Sequence, residues 1–387
     1  MEIRTRKIKK ICILTGTRAE YGLLKPIIKN IENHKDFISS ILCTGTHLSK
    51  KFGHSIDIIK KDGFRNIHEV EMLPADSSER SVARSIGIGI QNFSSFFYKD
   101  RPDLLLLLGD RTEALAGSIS AAYMNVPIAH VHGGDSARAG LDESARHAIT
   151  KFSHIHFAAT KNSAKRIIKL GEERQRVYVT GAPCLDTILN ETFFDRSEIY
   201  KKLKLKLNNK FIVLVQHPVS TQPIESKKQI LETIRALKKT KLQVVAIYPN
   251  CDAGSGEIIK TLENESNNRL HCFKNLSHKL YLSLLKHAYI LVGNSSSGII
   301  ESSSFKIPSI NIGTRQEGRE RGVNVIDATH GQKSILESIK QATSKEFQNL
   351  MKSCKNPYGN GTCAPKIVNT LSEIRINSNF LQKKITY

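Results

Sequence analysis

Short apolar runs alternate with amphipathic, helix-length stretches along nearly the whole chain. In the first half the apolar runs predict strands at Ile11–Thr15, Ser40–Thr44, Leu104–Leu108, Pro127–Val131, His154–Ala158 and Val177–Thr180. Between them a helical period recurs at Glu20–Ile31, Glu113–Met124, Glu143–Phe152 and Asn162–Leu170. The second half repeats the rhythm, with strands at Phe211–Val215, Gln243–Tyr248, Arg269–Phe273, Tyr289–Val292 and Ser309–Ile312. Its helices are expected near Lys227–Lys238, Glu257–Glu265, His278–His287 and Gly298–Ser304. Unbroken apolar strands joined by helices imply parallel sheets covered on both faces. The pattern therefore predicts an α/β protein of two doubly wound domains facing a cleft. A Lys-rich interruption places the join at about 185–210, giving domains over 1–185 and 186–365.

Composition narrows the class. The chain has 387 residues, 40% of them hydrophobic and 24% charged, which suits two folded domains and excludes a disordered chain. No apolar run approaches the roughly 18 residues of a membrane span, and the stretch after the basic N-terminus is too short and polar for a signal peptide. Seven Cys without paired spacing point to a reducing, cytoplasmic setting rather than a disulfide framework or zinc site. The formal charge of +22 invites a nucleic-acid reading. The excess is dispersed, however, and no nucleic-acid motif accompanies it. Aromatics are only 6%, with no Trp, so a phosphate-bearing small substrate accounts for the charge without nucleic acid.

The polar motifs follow the apolar strands, where ligands of such sheets bind. Gly16-Thr17-Arg18 ends the first strand and opens a helix, a setting for an anion, with Arg18 as a bidentate donor. It is neither GxGxxG nor a P-loop. Gly109-Asp110-Arg111 follows the five-leucine strand; Asp110 reads either as a functional carboxylate or as the cap of the Thr112 helix. His130-Val131-His132-Gly133-Gly134-Asp135 is followed by Asp142-Glu143-Ser144-Ala145-Arg146-His147. Together they gather imidazoles, carboxylates and an Arg suited to acid/base chemistry. His130 and His132 with Asp135 or His154 could ligate a metal, but no third ligand has convincing spacing, so no metal is expected. In the second half, Gln216-His217-Pro218 and Pro249-Asn250-Cys251 end strands. Gly293-Asn294-Ser295-Ser296-Ser297-Gly298 leads into a helix with N–H groups and hydroxyls suited to an anion. Glu301 could accept from a ribose diol, and Arg315 could clamp a diphosphate.

These motifs, in this order, resemble the UDP-N-acetylglucosamine 2-epimerases. The stretches GTRAEYGLLKP, GDRTEAL, HVHGGD, DESARHAITKFSHIHF, VTGAPCLD, QHP, YPNCDAGS, VGNSSSGIIE and NIGTRQEGR resemble most the hydrolysing, sialic-acid-type branch. The resemblance runs from about residue 10 to 375. It implies a glycosyltransferase-B-like pair of Rossmann-like domains, with a C-terminal helix over 366–387 returning to the first. It also implies a reaction needing neither cofactor nor metal, in a homodimer or homotetramer. A base removes the sugar C2 proton while UDP leaves C1; water then adds to the glucal intermediate, releasing N-acetylmannosamine. Asp110, Asp142, Asp135, His132 and His217 become catalytic candidates. Arg18, His47, Arg111, Arg146, Asn250, Ser295, Ser296, Gly298, Glu301 and Arg315 become substrate-binding candidates. HVHGGD departs from the H-x-E-G-G-E and H-x-H-G-G-E patterns, which leaves the base open among Asp110, Asp135, Asp142 and His132. Arg138 could read a further sugar substituent or pair with Asp135. The principal expectation is hydrolysis of UDP-N-acetylglucosamine. The alternatives are a UDP-2,4-diacetamido-2,4,6-trideoxyhexose substrate, a non-hydrolysing epimerase, a glycosyltransferase and, remotely, a nucleic-acid-binding protein.

Overall fold

The strand Leu104–Leu108 shows why the apolar runs are unbroken. Leu104, Leu106 and Leu108 pack with Leu24, Ile28 and Ile367, whereas Leu105 and Leu107 pack with Phe93, Phe97 and Ala116. Both faces are covered by helices, so no position in the strand is free to be polar. The computed structural model describes residues 8–50, 53–72, 79–136, 141–205, 210–219, 223–249, 254–274 and 276–387.

The first sheet has seven strands: β1 (Lys9–Thr15), β2 (Phe37–Cys43), β3 (Ile67–Glu69), β4 (Leu104–Leu108), β5 (Ile128–Val131), β6 (Ile155–Ala158) and β7 (Val177–Val179). Their order is β3-β2-β1-β4-β5-β6-β7, and every pairing is parallel. The second sheet has six: β8 (Phe211–Val215), β9 (Gln243–Ile247), β10 (Leu270–Phe273), β11 (Ile290–Gly293), β12 (Ser309–Ile312) and β13 (Val325–Ala328). Its order is β10-β9-β8-β11-β12-β13, again parallel throughout. In each sheet the strand order reverses once, between β1 and β4 and between β8 and β11. Ligands of such sheets bind beyond the carboxyl ends of strands at that reversal.

The chain forms two compact units. One holds Met1–Asp135, Leu141–Thr187 and Gly359–Tyr387; the other holds Ser136–Gly140 and Ile188–Tyr358. In the first unit, helix Cys363–Glu373 packs against helix Arg18–Glu32 through Ile367, Val368 and Leu371. Its amino end is capped by a distant side chain: Asp186 accepts from the Cys363 N–H at 2.9 Å and the Ala364 N–H at 2.8 Å. The segment beyond it is tied to the same unit, where Lys383 Nζ donates to Glu172 Oε2 at 2.7 Å and to Ser153 O at 2.8 Å.

Several elements differ from the pattern-based expectation. β3 and β13 are short edge strands that carry no clear apolar run. Helix Glu79–Lys99, the longest in the first unit, has no counterpart among the expected helices. The helix expected over Gly298–Ser304 spans only Ser297–Ile300 and continues as turns.

Candidate active site

Beyond the carboxyl ends of β4 and β5, Arg146 joins two segments of the first unit. Arg146, buried on helix Leu141–Phe152, pairs through Nη2 with Asp110 Oδ2 and donates through Nη1 to the Asp135 carbonyl at 2.7 Å. Asp110 is thus held by an ion pair; the residue at the head of helix Thr112–Tyr123 is Arg111, which makes no side-chain cap. His132 Nδ1 lies 2.8 Å from Asp135 Oδ2. Both residues are buried, at 9% and 6% exposure, so water competes little for this pair. His132 also adopts a φ of +64°, the left-handed region uncommon for a side-chain-bearing residue and a frequent mark of functional loops.

The loops after β1, β2 and β4 are drawn together by buried carboxyl groups. Glu20 Oε2 accepts from the Gly16 N–H at 2.6 Å, while Thr17 caps the helix by accepting from Glu20 N. Glu113, 1% exposed, accepts from Arg111 Nε at 3.2 Å and from the Thr112 hydroxyl at 3.1 Å. A Cβ at Gly16 would stand 2.5 Å from Glu113 Cγ, and one at Gly45 (φ +60°) 2.5 Å from Glu113 Oε1. Only glycine fits at either place. His47 Nε2 lies 3.1 Å from Thr15 Oγ1 and its Nδ1 2.8 Å from Ser55 Oγ. Burial lowers the His47 pKa to about 4, so the ring is neutral at pH 7. His130 is a strut of the same kind: Nε2 faces the Gly109 carbonyl at 2.8 Å, and burial lowers its pKa to about 3.

In the second unit the carboxyl ends of β8, β11 and β12 meet on Asn294. The His217 N–H donates to Asn294 Oδ1 at 2.7 Å, and Asn294 Nδ2 donates back to the His217 carbonyl at 2.9 Å. Arg315 Nη1 and Gln316 Nε2 both donate to the Asn294 carbonyl, at 3.1 and 2.9 Å. Burial, reinforced by the Arg315 charge, lowers the His217 pKa to about 3; its imidazole is a neutral donor at pH 7. Glu301 flanks the carboxyl end of the short helix Ser297–Ile300. Burial raises its pKa, with hydrogen bonding to Ser297 opposing, and its Oε2 is buried with no hydrogen-bond partner among the described residues. A buried, unsatisfied carboxylate oxygen is what a hydroxyl-bearing ligand would complete.

A family model described as UDP-N-acetylglucosamine 2-epimerase matches residues 29–372. The chain belongs to that family. Among its relatives, the UDP-N,N'-diacetylbacillosamine 2-epimerase (hydrolyzing) of Legionella pneumophila is 35% identical, covering 98% of this chain and 100% of that protein. The GDP/UDP-N,N'-diacetylbacillosamine 2-epimerase (hydrolyzing) of Campylobacter jejuni is also 35% identical, covering 88% and 89%. The crystal structure of UDP-GlcNAc 2-epimerase from Neisseria meningitidis bound to UDP-GlcNAc matches with a TM-score of 0.82 at 20% identity, covering 94% of this chain and 100% of that one. The fold is accordingly that of the epimerase family, glycosyltransferase-B-like, as the motifs imply.

The expected epimerase residues fall into distinct settings. Asp110, Asp135, His132 and Arg146 form one connected cluster. Arg18 is half-buried on the first turn of its helix, and Arg111 is exposed apart from its bond to Glu113. Asp142 is exposed on the first turn of helix Leu141–Phe152, one turn before Arg146. Ser295 and Ser296 precede the short helix, half-buried, and Gly298 packs against Ser309. Asn250 and Arg138 lie outside the described residues. Glu113, Glu20, Asn294 and Gln316 were not among the expected site residues, although all stand within or beside the motifs. Among the described residues, no group of three or more His, Cys, Asp or Glu could hold a metal ion, and no helix is long and apolar enough to cross a membrane.

Proposed function

We propose that this chain is a hydrolysing 2-epimerase of UDP-2,4-diacetamido-2,4,6-trideoxyhexose rather than of UDP-N-acetylglucosamine. The observation that carries this choice is the 35% identity to two relatives named for diacetylbacillosamine, each matched over most of its length. It displaces the expectation of N-acetylmannosamine as product.

The site chemistry fits a 2-epimerase. As the C1–O bond to UDP lengthens, positive charge at C1 acidifies the C2 proton, and a neutral imidazole suffices as base. His132, oriented by Asp135, takes that role. Asp110, fixed by Arg146, serves the addition of water to the glucal intermediate, and Asp142 is the second acid/base candidate. In the second unit, Arg315 and the neutral His217 imidazole offer donors to the diphosphate, which gains charge as it departs. The main chain of Ser295 and Ser296 adds N–H groups, and Glu301 accepts from the ribose diol. In the first unit, Arg18 and Arg111 are fixed cations suited to an anionic substrate group. Asn250 completes the proposed nucleotide contacts. The active form is a homodimer or homotetramer, checked by light scattering.

Proton NMR in deuterated water tests the substrate. Incubation with the UDP-2,4-diacetamido sugar should release UDP and a free sugar of inverted C2 carrying deuterium there. Turnover of UDP-N-acetylglucosamine alone would return the reading to the simpler sugar. A product still attached to UDP would make the enzyme non-hydrolysing.

A further inference from the structure

We propose that Ser163 and Thr160 are positioning residues that fix the protonation pattern of His132 through Asp135. The inference rests on His132 as the C2 base and follows from a chain of hydrogen bonds whose direction is determined. Ser163 Oγ lies 2.8 Å from Asp135 Oδ1. A carboxylate only accepts, so the Ser163 hydroxyl hydrogen is committed to that bond. Thr160 Oγ1 stands 2.9 Å from Ser163 Oγ and accepts from the Ser163 N–H at 3.0 Å, capping helix Lys161–Lys169. With the Ser163 hydrogen already directed at Asp135, the Thr160 hydroxyl donates to Ser163. At the other end, Asp135 Oδ2 accepts from His132 Nδ1. The proton of the neutral ring is therefore on Nδ1, and the lone pair is on Nε2.

Two features make the chain a positioning device. Ser163 and Thr160 are each 2% exposed, so water has little access to replace either hydroxyl. The same helix also holds the loop backbone, since Arg166 Nη1 donates to the Gly134 carbonyl at 2.9 Å. The carboxylate that orients the base and the loop that carries it are thus referenced to one helix end. A base with its proton on the wrong nitrogen cannot accept from carbon, and loss of the orienting carboxylate penalises catalysis elsewhere for this reason.

The experiment combines long-range proton–nitrogen NMR of the uniformly labelled enzyme with steady-state kinetics. The His132 resonance, assigned by its loss in His132→Gln, should show the neutral ring with Nδ1 protonated and Nε2 bare. Ser163→Ala should lower kcat about tenfold or more, change KM by less than about twofold, and mix the His132 tautomers. Thr160→Val should act in the same direction, and Thr160→Ser, which returns the hydroxyl, should recover the lost activity. An Nε2-protonated His132 in the unaltered enzyme, or an unchanged kcat in Ser163→Ala, overturns the proposal. Where a variant fails to fold, the tautomer of the unaltered enzyme decides alone. A wrong sugar assignment would show as absent turnover with the Nδ1–H signature intact, which separates the two failures.

Discussion

Asp110 and Glu20 are both carboxyl groups near strand ends, yet their surroundings set them opposite tasks. Asp110 is partly exposed and paired with Arg146, the setting the proposed mechanism requires of it. Asp110→Asn should reduce turnover by about two orders of magnitude or more. UDP affinity, measured by calorimetry, should stay close to that of the unaltered enzyme, because the proposed nucleotide contacts are other residues. Glu20 is buried, and its pKa is raised to about 8, burial outweighing the Gly16 N–H bond that favours the anion. The fold thus favours the protonated form. The stability this contributes is full below the unfolded value near 4.5 and is lost as pH rises through about 8. Glu20→Gln keeps an acceptor for Gly16 without a charge. It should leave urea stability at pH 4 nearly unchanged and raise it at pH 9 by several kcal/mol, at most about 5. The grouping of His132, Asp135 and Arg146 was legible because HVHGGD and DESARH stand close together in the chain, whereas the pairing that adds Asp110 from a separate motif comes from the fold. Glu113 was not legible. In sequence it is an ordinary acid in the first turn of a helix, and only the fold brings Gly16 and Gly45 against it.

Elements were legible where one physical signal dominated. Leu104–Leu108 was bounded correctly to the residue, since a fully apolar run flanked by polar residues has one good reading. Helix Glu79–Lys99 escaped because Gly87, Gly89 and a run of Ser and β-branched residues weaken its local preference. Packing overrides that weakness: a Cβ at Gly89 would already stand 3.1 Å from Ala116 Cβ, so the glycine permits close approach of helix Thr112–Tyr123. The clasp around Glu172 was equally invisible, since its partners are scattered from Lys151 to Lys383. Burial alone would raise the Glu172 pKa, but bonds from His156, Lys151 and Lys383 prevail and hold it down to about 2. The resulting stability is present above pH 4.5 and lost as pH falls through about 2. Lys383→Met should cost about 3 kcal/mol at pH 7 by denaturant unfolding, because it strips a buried carboxylate of a partner. The variant's deficit should narrow in the acid range, where the carboxylate becomes protonated.

At the scale of the molecule, two parallel sheets followed from the alternation of runs and helices, whereas the edge strands β3 and β13 required the assembled sheets to define them. The charge of +22 also acts at this scale. A doubly anionic nucleotide sugar is attracted from a distance, so kcat/KM should fall between 20 and 200 mM salt by roughly threefold or more, with kcat much less affected. Stopped-flow or initial-rate measurements at several ionic strengths check this. The connectivity has a consequence for biosynthesis. The second unit lies within one stretch from Ile188 to Tyr358 apart from a short excursion, while the first is completed only by Gly359–Tyr387. On a translating ribosome, the amino-terminal half therefore waits for the residues around Ile367 and Leu371 before its hydrophobic face against helix Arg18–Glu32 is covered. The unit made first is the one finished last, and in the interval it presents exposed apolar surface of the kind that chaperones hold.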